Sequence, residues 1–155
     1  MNVAKQAKSV SEMSPQELAE ACAVAMWKND STSKRLGMAL ETVGPGHASL
    51  TMTITADMLN GHGNCHGGYI FTLADSAFAF ACNAYNQLVV GQHCSISYIA
   101  PGRAGDVLTA HATEVSRRGR SGIYDIRVTN DRGEHVAEFR GHSRAVNGTL
   151  LPTGA

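Results

Sequence analysis

The segment from Tyr69 to Ala84 is apolar or small at nearly every position and holds one acid, Asp75, near its middle. Its apolar residues fall on more than one face at helical spacing, so the segment reads as a helix that must be covered on several sides. It is too short for a comfortable bilayer span and carries a charge, so that cover has to come from the protein itself. The rest of the chain offers strands for the purpose. Ser49 to Ala56 alternates Leu50, Met52 and Ile54 with threonines, the period-two pattern of a half-buried strand. Further strands are predicted near Val89 to Ile99, Val107 to Ser116, Gly122 to Asn130 and Glu134 to Asn147, with turns at Pro101-Gly102, Arg117 to Gly119 and Asn130 to Gly133. With no βαβ alternation, one long helix amid about five to six antiparallel strands predicts an α+β fold whose sheet wraps the helix.

Upstream, Ser14-Pro15-Gln16-Glu17 has capping-box spacing with proline at the first helical position, which predicts a helix to about Lys28. A shorter helical turn is expected from Thr32 to Leu36, stopped by Gly37. Residues 14–147 are expected to form a single domain, between flexible tails at 1–13 and 148–155. A hydrophobic fraction of 43% with 17% charged residues suits a globular domain with a substantial core, and zero formal net charge supplies no global field to recruit nucleic acid. The N-terminus lacks a sustained apolar stretch with a cleavage site, and Cys22, Cys65, Cys82 and Cys94 show no CxxC pairing. Reduced thiols and a cytoplasmic location are the expectation, with no membrane partner.

The helix is preceded by a polar glycine loop, Asn60-Gly61-His62-Gly63-Asn64-Cys65-His66-Gly67-Gly68. A helix that starts at His66-Gly67-Gly68 offers free backbone N–H groups and the positive end of its dipole, which can hold the oxygen of an attacked carbonyl. Asp75 is the natural second member, because a carboxylate among apolar neighbours needs a partner, a proton or a function. Gly67 and Asp75 are eight positions apart. At 1.5 Å rise per residue they lie about 12 Å apart along one axis and cannot both touch one carbonyl. Two such helices antiparallel across a two-fold axis would bring Gly67 of one beside Asp75 of the other, so the spacing favours a site shared between subunits.

Leu59-Asn60-Gly61-His62, Cys65-His66-Gly67-Gly68 and Leu73-Ala74-Asp75 together resemble the hotdog-fold acyl-CoA thioesterases of the phenylacetate-degradation type. Pro101-Gly102 with Ala104-Gly105-Asp106, Gly122-Ile123-Tyr124-Asp125 and Ala137-Glu138-Phe139-Arg140-Gly141 look like later segments of the same family, so the resemblance spans roughly residues 14 to 147. It implies a hotdog fold and a homo-oligomer, a dimer of dimers, that hydrolyses an acyl-CoA substrate, aryl-acetyl groups leading, without metal or organic cofactor. It also implies that the Gly67 N–H polarises the thioester carbonyl and that Asp75 attacks it or activates water. Asn60 would place the carbonyl or water, and His66 would orient the loop or contact the thioester. Some related enzymes carry a threonine one helical turn after the acid to hold water; here that position is Ala79, and Ser76, Ser95 or Ser97 is the available substitute.

Other readings stay open on the residues alone. His66 with Asp75 suits a hydratase or dehydratase acting on enoyl or 3-hydroxyacyl thioesters, and the same fold without turnover would be an acyl-CoA-binding module. Cys65-His66 as a thiolate–imidazole pair is disfavoured, since adjacent residues on a loop seldom aim at each other. His62, Cys65 and His66 match no standard zinc spacing. Arg117, Arg118 and Arg120, with Arg103, are candidates to meet CoA phosphates, and Tyr69, Phe71 and Phe78 are candidates to line an aryl pocket, although both sets equally fit a solvated turn and a core.

Overall fold

Ser14 and Glu17 close the expected capping box: the Glu17 N–H donates to Ser14 Oγ at 3.2 Å, and the Ser14 N–H donates to Glu17 Oε2 at 2.8 Å. From this cap α1 runs Pro15–Asn29, and α2, Ser31–Arg35, follows behind an Asp30 cap. Gly37, at φ 66°, turns the chain out of the helical path in a conformation that costs other residues energy. The computed structural model describes residues 8–153, so residues 1–7 and 154–155 of the expected tails lie outside the described residues. Within the expected tails, Val10–Glu12 makes a single 3-10 turn. At the other end the Leu150 and Leu151 N–H groups both donate to Asn86 Oδ1, at 3.1 and 2.8 Å.

The helix of the central segment is α3, Gly67–Cys82, and six strands surround it: β1 (Ala39–Gly44), β2 (His47–Thr53), β3 (Val89–Tyr98), β4 (Val107–Arg118), β5 (Ser121–Thr129) and β6 (His135–Ala145). They form one antiparallel sheet in the order β1-β2-β4-β5-β6-β3. β1 is the strand that no segment of the sequence announced. Its apolar residues Leu40 and Val43 are three apart, and a bulge between Leu40 and Thr42 breaks the alternation that would mark a strand.

The sheet curves round α3 because that helix is apolar on most of its circumference. Leu73, Ala74, Ala77 and Ala81 are at 0% exposure and Phe78 at 1%. The alanines let strands approach closely, and Gly141 in β6 makes room for the largest side chain: a Cβ there would lie 2.8 Å from Phe78 Cζ. Phe78 is wedged between Tyr124 and Phe139, at ring distances of 5.5 and 6.0 Å. The outer face of the sheet is polar, with Arg140 bidentate on Asp125 and Arg127 paired to Glu138.

β3 has an unusual position. It lies at the sheet edge beyond β6, and its outer side has no partner strand among the described residues. Asn83, just past α3, ties down its start, donating through Nδ2 to Val89 O at 3.0 Å and accepting from Val89 N at 2.9 Å. Its far end carries exposed Tyr98. Among the described residues no helix is long and apolar enough to cross a membrane.

Candidate active site

Loop 59–66 is built round Asn60. Its Oδ1 accepts from His62 N at 2.9 Å and Asn64 N at 3.2 Å, while its own N–H donates to Asn64 O at 2.7 Å. Asn60 thus acts as an Asx-type turn residue through its oxygen, and its Nδ2 donor meets no acceptor among the described residues. Gly63, at φ 77°, permits the tight return. Backbone bonds from Cys65 N to Gly102 O and from His66 N to Met58 O, both 2.8 Å, then anchor the loop exit at the head of α3.

At that head the first N–H groups of the helix are disposed of one by one. His66 is the N-cap, and its Nδ1 accepts from Gly68 N at 3.0 Å. Tyr69 N donates to His66 O at 3.0 Å. Gly67 N–H meets no acceptor among the described residues, which leaves it, at the positive end of the helix, able to donate to a bound oxygen. Gly67 is further constrained by a residue the sequence reading did not single out: Tyr98 Oη donates to Gly67 O at 2.9 Å, and a Cβ at position 67 would lie 2.8 Å from Tyr98 Cζ. The only signal for Tyr98 was β3 alternation, which sets Cys94, Ile96 and Tyr98 on the α3 side.

Asp75 sits two turns further along α3, half-buried in the protomer. Burial raises its carboxyl above the ordinary aspartate range, and burial likewise raises the thiols of Cys82 and Cys94, with the Asp75 charge a lesser contribution to both. Gly67 and Asp75 share one helix, so the roughly 12 Å spacing expected from the sequence holds within the protomer.

The remaining candidates are accounted for. Ser76 is engaged with buried Ser33, their hydroxyls 3.1 Å apart. Ser95 and Ser97 alternate with Cys94 and Ile96, which pack toward the core, and so lie on the outer face of the sheet, away from α3. Cys65 is buried and its thiol is pushed up to about 11 by desolvation, which suits packing and not a thiolate nucleophile. Phe71 and Phe78 both pack on Phe139 in the core. Tyr69 instead borders a cavity of about 370 Å³ at the head of α3, shared with His66, Gly68 and Thr72. Arg117 stacks over Tyr85 at 3.7 Å, and Arg120 donates to Ala145 O, so two of the three turn arginines have partners within the chain. A larger apolar groove of about 720 Å³ lies between α1 and β1, bordered by Trp27 and Met38, and none of Asn60, His66, Gly67 or Asp75 lines it. Among the described residues no three His, Cys, Asp or Glu side chains are grouped to hold a metal ion.

Comparison with known proteins gives a consistent picture. Residues 62–137 match the thioesterase superfamily. The acyl-coenzyme A thioesterase PaaI of Escherichia coli (strain K12) is 46% identical over 126 residues, 81% of this chain and 90% of that protein. A putative esterase of Archaeoglobus fulgidus is 34% identical over 83% of each chain. The solved structure of the E. coli PaaI protein from the phenylacetic acid degradation operon superposes with a TM-score of 0.86 at 45% identity, covering 88% of this chain and 99% of that one. A hypothetical thioesterase from Streptococcus pneumoniae TIGR4, solved with coenzyme A, superposes with a TM-score of 0.69 at 28% identity, over 72% of this chain and 90% of that chain.

Proposed function

This chain belongs to the thioesterase superfamily, with the hotdog fold and the PaaI acyl-CoA thioesterase among its relatives, and from that premise we propose that it hydrolyses aryl-acetyl-CoA thioesters to free CoA and the carboxylic acid. The observation that carries the reading is a free Gly67 N–H at the head of the helix that also bears a half-buried, pKa-raised Asp75. The thioester oxygen accepts from Gly67 N–H, which is already oriented and needs no reorganisation as negative charge develops. Asn60 Nδ2, held by a turn that uses only its oxygen, is a second donor for carbonyl or water. Asp75, in its carboxylate form, attacks the carbonyl carbon and expels the CoA thiolate to give a mixed anhydride that water then hydrolyses, or it takes a proton from water that attacks the carbonyl and displaces the same thiolate. Label from heavy-oxygen water entering the Asp75 carboxylate in a single turnover marks the anhydride route.

The roughly 12 Å between Gly67 and Asp75 makes the working site intermolecular: Gly67 of one subunit meets Asp75 of its partner. The unpartnered edge of β3, a strand that packs against α3, is the surface this assembly joins, and pairing there removes an open edge. Two such dimers form the tetramer. Four free cysteines, three of them buried, suit a reducing cytoplasm. A hydratase role for His66 loses support because its Nδ1 is occupied by Gly68 N–H and is unavailable as a base.

The deciding assay is free-thiol release from phenylacetyl-CoA, a hydroxyphenylacetyl-CoA and a straight-chain acyl-CoA, comparing the wild type with Asp75→Asn. Turnover that collapses by a factor of 10² or more in the variant is the expected result, on the general-base scale. Release that survives the substitution removes Asp75 from the mechanism.

A further inference from the structure

We propose that Tyr98 is a positioning residue of this site: acting through the Gly67–Gly68 peptide, its hydroxyl holds His66 in the one tautomer that offers Nε2–H to the bound thioester. The inference rests on the thioesterase reading of the Gly67 corner.

The connection is a continuous chain of polar groups. Tyr98 Oη donates to Gly67 O at 2.9 Å. That carbonyl and Gly68 N–H belong to the same peptide, and Gly68 N–H donates to His66 Nδ1 at 3.0 Å. A donor on the carbonyl polarises the amide and makes its N–H a stronger donor, so the two bonds reinforce each other. A nitrogen that accepts a hydrogen bond carries no proton, so the ring proton sits on Nε2. The ring is steadied by an edge-on contact with Tyr69, 6.5 Å between centroids, and it borders the cavity at the head of α3. Tyr98 is exposed as a residue, but partial desolvation of its phenol pushes it up, which keeps it a donor at neutral pH.

Tyr98 also completes a strap. Asn83 ties the first residue of β3 to the end of α3, and Tyr98, the last residue of β3, ties to the start of α3. The absence of a side chain at Gly67 is what admits the ring, since a Cβ would meet Cζ, Oη and Cε1 at 2.8, 2.9 and 3.1 Å. The free Gly67 N–H and the His66 Nε2–H are thereby fixed on one short stretch of backbone, a pair of donors aimed by a single tyrosine.

The test is Tyr98→Phe, which keeps the ring and removes the hydroxyl, measured in the assembled enzyme at pH 8. kcat for phenylacetyl-CoA is expected to fall about 2- to 12-fold, the worth of one hydrogen bond, with KM nearly unchanged. By NMR the Gly68 amide proton should move upfield, and the His66 ring nitrogens should change from one tautomer to a mixture. An unshifted Gly68 amide overturns the relay whatever happens to kcat, as does a wild-type His66 protonated on Nδ1. Wild-type kcat in the variant overturns its role in the reaction. The NMR arm needs no turnover, so failure of the thioesterase reading and failure of the relay are told apart.

Discussion

Gly141→Ala in β6 tests whether the seat of α3 is set by direct contact. The added Cβ would stand 2.8 Å from Phe78 Cζ and 2.9 Å from both Cδ1 and Cδ2. Ordinary carbon contacts lie near 3.5–4.0 Å, so the ring must retreat by about 0.7–1.2 Å. It has nowhere to go alone: Phe78 is 1% exposed and boxed by Tyr124 and Phe139. Overpacking of this kind costs about 1–3 kcal/mol, and replacing a strand glycine returns about 0.5–1 kcal/mol through the unfolded chain. The net is about 0–2.5 kcal/mol, with a midpoint near 1.3 kcal/mol, or up to roughly 10 °C in Tm for a chain of this size. The strain is relieved in a Phe78→Leu background, where the substitution should cost less than half as much in denaturant melts at unchanged m. A Gly141→Ala protein more stable than wild type, or one equally destabilised in both backgrounds, would refute the reasoning. Since Phe78 lies one turn from Asp75, kcat should fall with the stability.

Asp75→Asn is expected to lose activity yet gain stability at pH 7. Burial raises the folded-state pKa of Asp75 above its unfolded value, so the ionised acid opposes folding above that folded pKa, and the opposition disappears as pH falls below the unfolded value. The Tm advantage of the variant should shrink on acidification; a constant difference across pH contradicts it. Asp106 has the opposite sign. Arg132, followed by the Arg103 N–H, holds its carboxyl below the ordinary range, so its contribution is present above the unfolded pKa and lost as pH falls through the folded one. Asp106→Asn should therefore lower Tm at pH 7 and converge with wild type in acid, which pH-resolved calorimetry checks. If the β3 edge is the subunit seam, its amides that do not bond β6 should exchange slowly with deuterium in the assembled enzyme, and light scattering should give a tetramer mass; fast exchange or a monomer removes that seam.

The sequence alone determined the central helix, five of the six strands of the sheet around it and the family to which the chain belongs. An all-round apolar segment has to be enclosed, a period-two pattern can only be a strand with two faces, and Ser14 with Glu17 or His66 with Gly67-Gly68 act within a few residues of themselves. Local physics of this sort is written in order along the chain. β1 escaped because a bulge at an edge erases periodicity. Tertiary structure alone decided the rest. That Gly67 N–H is free while Gly68 N–H is spent on His66, that Asn60 turns the loop with its oxygen and keeps its amide, and that Ser95 and Ser97 face away from α3 all follow from where side chains end up in space. Tyr98 is the clearest case: it lies 31 positions from Gly67 and touches it only because β3 packs along the helix from end to end, a contact that no spacing along the chain can encode.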